Sequence, residues 1–141
     1  MNKLLLPVDG SPSSLRAVEW ALLHVAGRPL AKVVLLNVQA PVLAMDVSPH
    51  VTAGMVHQLH ERAGREAMKE ARAMLDSAGV PCEEHLLVGE PGEIIAEVAA
   101  REGADGIVMG TRGMGPVKSL VLGSVATKVI HLAGMPVTLV K

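Results

Sequence analysis

The chain has 141 residues, half of them apolar, with a formal net charge of −1 at pH 7 and Trp20 as its only Phe, Trp or Tyr. This length predicts one domain over residues 1–141, and the composition predicts an aliphatic core. The near-neutral charge offers no electrostatic attraction to nucleic acid or to an acidic membrane surface, so neither is expected as a partner. The single cysteine, Cys82, excludes an internal disulfide and disfavours a zinc–thiolate cluster.

The first half of the chain predicts two strands and two helices. Lys3–Val8 is apolar on both faces, which is typical of a strand in the centre of a parallel sheet. Turn residues follow at 9–14, with Ser13 as the predicted N-cap of a helix that ends before Gly27. Ala31–Val38 predicts a second buried strand, and residues 40–50 predict a loop. The helices bury two apolar stripes at three- and four-residue spacing: Leu15, Val18, Leu22 and Val25 in the first, and Val56, Leu59, Ala63, Ala67, Ala71, Met74 and Ala78 in the second.

The second half continues the alternation. Cys82–Val88 predicts a third strand, and its Glu83, Glu84 and His85 favour a position at the edge of the sheet. A helix starts within residues 89–92, Asp105–Met109 predicts the fourth strand, and a last helix precedes a short fifth strand at Val137–Val140. In the third helix the residues expected to face inward are Ile94, Ile95, Val98 and Ala99.

Five strands alternating with four helices predict an α/β fold with a parallel sheet and helices on both faces. The polar third strand and the short fifth strand are natural edges, which favours the order 3-2-1-4-5. Ligands bind such sheets beyond the carboxyl ends of the strands, where the strand order reverses. That point lies between strands one and four, so Asp9 and Gly110 should open onto the same crevice.

The connection from Gly110 to Ser124 is the strongest functional signal. It carries four glycines and two cations, Arg112 and Lys118, between a strand and a helix. Glycine permits a positive φ and close approach of backbone amides to an anion, and a helix N-terminus offers free N–H groups. The stretch therefore predicts phosphate binding, with a loop that needs glycines only for its turns as the alternative. It is not a Walker A loop, because Val117 stands where that motif needs glycine.

The spacing Gly110-x-x-Gly113, nine residues, then Gly123-Ser124 resembles the nucleotide-binding signature of the universal stress protein family, and the C-terminal residues fit that family too. The resemblance implies the ATP-binding type, with a Rossmann-like sheet in the same strand order. It implies that Asp9 contacts the ribose or nearby polar atoms and that Pro7 and Val38 form apolar walls for the adenine. The remaining predicted binding residues are Met109, Gly110, Arg112, Gly113, Gly123, Ser124 and Val125.

Other readings of individual residues stay open. Asp9 could instead form an Asx turn with Ser11, and Ser124 could simply cap the last helix. His57 and His60 have a spacing that could share a metal, but they lack the H-E-x-x-H arrangement and a third ligand. No metal site on the protein is predicted, although Mg²⁺ could enter through the phosphates.

The resemblance implies an ATP-binding regulatory or stress-response protein. The sequence offers no obvious water-positioning base or magnesium carboxylate pair, so at most a weak ATPase is expected. The alternatives are a slow ATP hydrolase or nucleotidyl-transferring enzyme of a related fold, and a non-catalytic interaction module.

Assembly and location follow from the chain ends and the apolar runs. The last strand has no following element to cover its edge, and the family resemblance implies a homodimer through it. No apolar run reaches the ~18 residues of a membrane helix, so a cytoplasmic location is expected.

Overall fold

A computed structural model describes residues 2–25, 32–42, 48–113 and 122–141. The described elements, in chain order, are β1 (Lys3–Pro7), α1 (Pro12–Val25), β2 (Lys32–Gln39), α2 (Ala53–Ser77), β3 (Cys82–Val88), α3 (Pro91–Arg101), β4 (Gly106–Gly110), α4 (Ser124–Leu132) and β5 (Val137–Val140). The strands form one parallel sheet in the order β3-β2-β1-β4-β5. The predicted fold class and strand order are confirmed.

The sheet separates two aliphatic layers. Consecutive strand residues point to opposite faces, so Leu4 and Leu6 pack with α1 and α2 on one side. Leu5 packs with α3 and α4 on the other side. All three leucines are fully buried, which explains why β1 is apolar on both faces. β1 leads into a helix on one face of the sheet, and β4 leads into a helix on the other face. The connections that follow these two strands therefore diverge and leave a crevice at the carboxyl ends of the strands.

The start of α1 differs from the prediction. The helix begins at Pro12, so Ser13 lies inside the first turn and is not the N-cap. Ser11 takes that role, because its Oγ accepts a hydrogen bond from the Ser14 N–H at 3.2 Å. Ser13 is instead buried, and its Oγ lies 3.5 Å from the carbonyl oxygen of Val140. The predicted stop at Gly27 lies outside the described residues.

The predicted buried face of α2 was right at Ala71, which is fully buried, and at Met74, which packs against the core, but wrong at Leu59, Ala63 and Ala78, which are exposed. Leu59 is 56% exposed, whereas the buried residues are Gly64, Met68, Ala71 and Leu75. A Cβ added to Gly64 would lie 2.8 Å from Cδ2 of Leu86 on β3. The helix therefore turns its glycine toward the sheet, because the missing side chain allows the closest approach. In the described ranges, no helix is both long and apolar enough to cross a bilayer.

The amino end of the sheet is held by hydrogen bonds from β1. Asp105 Oδ2 accepts the main-chain N–H groups of Lys3 at 2.9 Å and Asn2 at 2.7 Å. These two bonds hold the pKa of the Asp105 carboxyl below its ordinary value. They fix the start of β4 beside β1, at the end of the sheet opposite the crevice.

Candidate functional site

The crevice contains a cavity of about 430 Å³. All ten predicted binding residues line it: Pro7, Asp9, Val38, Met109, Gly110, Arg112, Gly113, Gly123, Ser124 and Val125. The structure thus brings together strand ends and a loop that are far apart in sequence. It adds further lining residues that the sequence did not predict: Val8, Ser14, Leu36, Ala40, Pro91, Ile95, Thr111 and Ala126. Five of these lie within two residues of a predicted residue, whereas Ser14 belongs to α1 and Pro91 and Ile95 belong to α3, and only the packing of these helices brings them here.

One end of the cavity is apolar and also presents main-chain polar groups. On β2, the Leu36 carbonyl points toward β1 and accepts the N–H of Val8 at 2.8 Å. The Gln39 carbonyl points the other way, toward the end of β3, and accepts the N–H of Gly89 at 3.0 Å. Main-chain groups alternate along a strand, so the N–H and C=O of Val38 point toward β1. The ladder between β1 and β2 ends at the pair Pro7–Leu36. Val38 therefore offers a donor and an acceptor beside an apolar wall.

Asp9 stands at the mouth of the cavity, on the loop after β1. Its Oδ1 accepts the N–H of Ser11 at 2.9 Å, so the Asx turn exists. Its Oδ2 lies 2.7 Å from the position of a Cβ on Gly113. The carboxylate thus reaches from the β1 loop to the β4 loop, and the turn and a ligand contact are compatible. Gly10 permits this path, because its φ is +83° and α2 passes close behind it.

The two ends of the glycine loop meet at the other end of the cavity. The Gly123 N–H donates to the Thr111 carbonyl at 2.6 Å, and the Thr111 N–H donates to the Val140 carbonyl at 3.0 Å. Gly110 lies against the first turn of α1, where an added Cβ would be 2.8 Å from the carbonyl carbon of Ser13. Lys118 lies outside the described residues.

The N-terminus of α4 completes this end. Gly123 is the N-cap, and no side chain caps the helix. Ser124 is the first helical residue, so the alternative that it caps α4 is wrong. The Thr127 N–H makes the first intrahelical bond, to Gly123, which leaves the N–H groups of residues 124–126 without helical acceptors. These residues line the cavity, so the positive end of the helix dipole faces it.

An apolar wall with exposed backbone groups at one end, and glycine and helix amides at the other, matches the parts of a nucleotide. The whole chain, residues 1–141, matches the model of the universal stress protein family.

The chain belongs to the universal stress protein family. This universal stress protein is 36% identical to Universal stress protein MJ0531 of Methanocaldococcus jannaschii, over 99% of this chain and 82% of that protein. It is 39% identical to a universal stress protein of Thermus aquaticus encoded beside a QAH/OAS sulfhydrylase, over 98% of this chain and 97% of that one.

Solved structures show the same fold in relatives. MJ0577 of Methanocaldococcus jannaschii superposes with a TM-score of 0.83 at 28% identity, over 99% of this chain and 95% of its own. A universal stress protein in complex with cAMP superposes with a TM-score of 0.72 at 28% identity, over 99% and 97% of the two chains. The universal stress protein of Archaeoglobus fulgidus in complex with dAMP superposes with a TM-score of 0.64 at 25% identity, over 100% and 98%. Two of these relatives thus hold adenine nucleotides.

Proposed function

We propose that this universal stress protein binds ATP in the cavity and acts as a nucleotide-linked regulatory protein in stress responses, as a single domain in the cytoplasm. The observation that carries the proposal is one cavity with an apolar wall at one end and the uncapped N-terminus of α4 at the other. The relatives that hold cAMP and dAMP support an adenine nucleotide as the ligand class. The glycine signature supports a ligand with a longer phosphate chain.

Each part of the nucleotide has a matching group. The adenine would lie between Pro7 and Val38, and the main-chain N–H and C=O of Val38 would read its edge. Asp9 Oδ2 would accept a hydrogen bond from a ribose hydroxyl. The phosphates would lie between the Gly110–Gly113 backbone and the first turn of α4, where amides and the helix dipole favour negative charge. Mg²⁺ would enter bound to the phosphates.

Binding rather than turnover follows from the side chains around the cavity. Among the described lining residues, Asp9 is the only carboxylate, and its Oδ1 is already used in the turn. Phosphoryl transfer needs groups that hold magnesium and position the attacking nucleophile. We therefore propose a regulatory binding protein with at most weak ATPase activity.

The direct test is calorimetric titration of the purified protein with ATP, AMP, adenosine and GTP, together with identification of any nucleotide released on denaturation. We expect saturable binding of ATP and weaker binding of GTP, whose base offers a different donor and acceptor edge. Bound ADP accompanied by steady turnover would support the hydrolase instead. No binding at millimolar ATP would contradict the proposal and favour a non-catalytic interaction module.

Asp9→Ala is expected to weaken the binding of ATP and of adenosine by a similar factor of about 10- to 100-fold, because the proposed contact of Asp9 is with the ribose, which both ligands contain. A hydrogen bond to a charged group contributes about 1.5–3 kcal/mol. Asp9→Asn is the matched control for the turn, because an amide oxygen can still accept the Ser11 N–H. If ATP weakens in Asp9→Ala while adenosine does not, Asp9 contacts the phosphates rather than the ribose.

We also propose a homodimer through β5. The carbonyls of Pro136 and Val140 bond toward β4, so the main-chain groups of Val137 and Leu139 point away from the sheet. β4 is the one strand of the described sheet that pairs with β5. Two copies related by a two-fold axis can pair antiparallel through this edge.

Leu139→Pro tests this edge, because proline removes one outward N–H from β5. The intact protein should sediment at about twice the 14.7 kDa of one chain, and Leu139→Pro should sediment as a monomer. Leu139→Ala keeps the N–H while losing the same packing, so it should remain a dimer. A monomeric intact protein at tens of micromolar would contradict the proposal.

A further inference from the structure

Three side chains with metal-ligating atoms converge beside the edge strand β3, and none of the three lines the cavity. Glu83 and His85 are two residues apart on β3 and therefore share one face. Glu102 is the C-cap of α3, which packs on that same face. One potential ligand atom from each of the three lies within 4.8 Å of the other two. Sequence reasoning considered His57 and His60 instead, and the ring of His60 contacts the Ala40 carbonyl oxygen at 3.1 Å.

Two of the three spacings match those between neighbouring ligand atoms of a bound metal ion. His85 Nε2 lies 3.3 Å from Glu83 Oε1 and 3.5 Å from Glu102 Oε1. A tetrahedral zinc ion with ligands at about 2.0–2.1 Å holds neighbouring ligand atoms about 3.3–3.4 Å apart. An ion can therefore be accommodated between His85 and both carboxylates with little movement of the backbone.

His85 Nε2 supplies an independent indication. The His85 side chain is 25% exposed, but its Nε2 is shielded from solvent and makes no well-formed hydrogen bond among the described residues, although two carboxylates lie at ion-pair distance from it. A buried polar atom without a partner costs free energy. A metal ion bound to this nitrogen would remove that cost.

Two lysines hold the carboxylates in place. Lys32 Nζ lies 3.0 Å from Glu83 Oε2, and Lys3 Nζ lies 3.7 Å from Glu102 Oε2. Lys3 also donates to the Glu102 main-chain carbonyl at 2.9 Å. In both pairs the lysine binds the oxygen on the far side, so the other oxygen is left directed at His85. Such outer contacts orient metal ligands, while the positive charge of the lysines limits the affinity.

We propose that Glu83, His85 and Glu102 form a Zn²⁺ site that ties the edge strand β3 to the end of α3. One imidazole nitrogen and two carboxylate oxygens suit zinc, and three protein ligands leave a fourth position for water. None of the three residues lines the cavity proposed for the nucleotide, so zinc binding can be tested independently of ATP binding.

The test is calorimetric titration of ZnCl₂ into the EDTA-dialysed full chain at pH 7.5. We expect one Zn²⁺ per chain, with affinity reduced at least 10-fold in both His85→Gln and Glu102→Gln. Glu84→Gln is the matched control, because Glu84 is an exposed glutamate on the other face of β3 whose carboxylate lies 3.4 Å from Arg72. Its zinc affinity should equal that of the unchanged protein.

A spectroscopic readout keeps the proposal testable if a variant unfolds. In the unchanged protein, the ¹⁵N resonance of His85 Nε2 should shift on zinc addition and saturate at one equivalent. No saturable binding, equal affinity in both variants, or a zinc-insensitive His85 resonance would each overturn the proposal. The three side chains would then form an ion-pair cluster only.

Discussion

Gly123→Val is expected to weaken ATP binding by more than about 100-fold while the protein remains folded. That factor corresponds to losing two hydrogen bonds to charged phosphates at about 1.5 kcal/mol each. The reason is space and not a positive φ, because Gly123 has φ −75° and ψ 165°, which valine can adopt. An added Cβ would already lie 3.3 Å from the Thr111 carbonyl oxygen, and valine adds two methyl groups beyond it at a residue that lines the end of the cavity proposed for the phosphates.

Gly134→Val is the matched control, because the same side chain is added at an exposed glycine with no atom within 4 Å of the new Cβ. Circular dichroism should show unchanged secondary structure in both variants, and calorimetry should show an ATP affinity loss in Gly123→Val alone. A folded Gly123→Val protein with unchanged affinity would show that the phosphates do not bind at the start of α4.

Gly110→Ala is expected to lower the free energy of unfolding by about 1–3 kcal/mol, the usual cost of forcing extra volume into a packed interior. Gly110 ends β4 directly under the first turn of α1. Its new Cβ would lie 2.8 Å from the carbonyl carbon and 2.9 Å from the carbonyl oxygen of Ser13. These are main-chain atoms that cannot rotate away, so α1 must move off the sheet.

Gly113→Ala is the control that distinguishes this clash with main-chain atoms from a general intolerance of the glycine loop to added side chains. Its Cβ would meet Asp9 Oδ2 at 2.7 Å, and that atom is the end of a side chain that can rotate. In urea unfolding monitored by circular dichroism, the midpoint of Gly113→Ala should therefore be close to that of the unchanged protein, and the midpoint of Gly110→Ala should be clearly lower. Equal midpoints for Gly110→Ala and the unchanged protein would mean that α1 packs less tightly on β4 than the structure shows.

The fold followed from patterns that a linear sequence carries. A strand buried on both faces must be apolar throughout, as in Leu4-Leu5-Leu6, and an edge strand can carry charge, as Glu83 and Glu84 do on β3. Together with the shortness of β5, which marks the other edge, these signals favour the strand order that the structure has. The reversal of the strands then predicted which loops share a crevice, and the structure does bring Asp9 and the glycine loop together there. Their roles toward a nucleotide stay predictions.

Close contacts between distant segments were decided only in the folded chain. Apolar spacing identified α2 as a helix and Ala71 as part of its buried face, but it missed Gly64, which has no side chain to count and yet allows a close approach to Leu86. The prediction of Ser13 as the N-cap of α1 was wrong for a similar reason. Ser13 packs against Gly110 at the end of β4, and this contact cannot be read from the sequence. Likewise, Ile95 reaches the cavity, and Glu102 reaches His85, only through the packing of α3 on the sheet. A single sequence records residue types and spacing, whereas these contacts depend on the distance and rotation between packed elements, which many weak interactions set together.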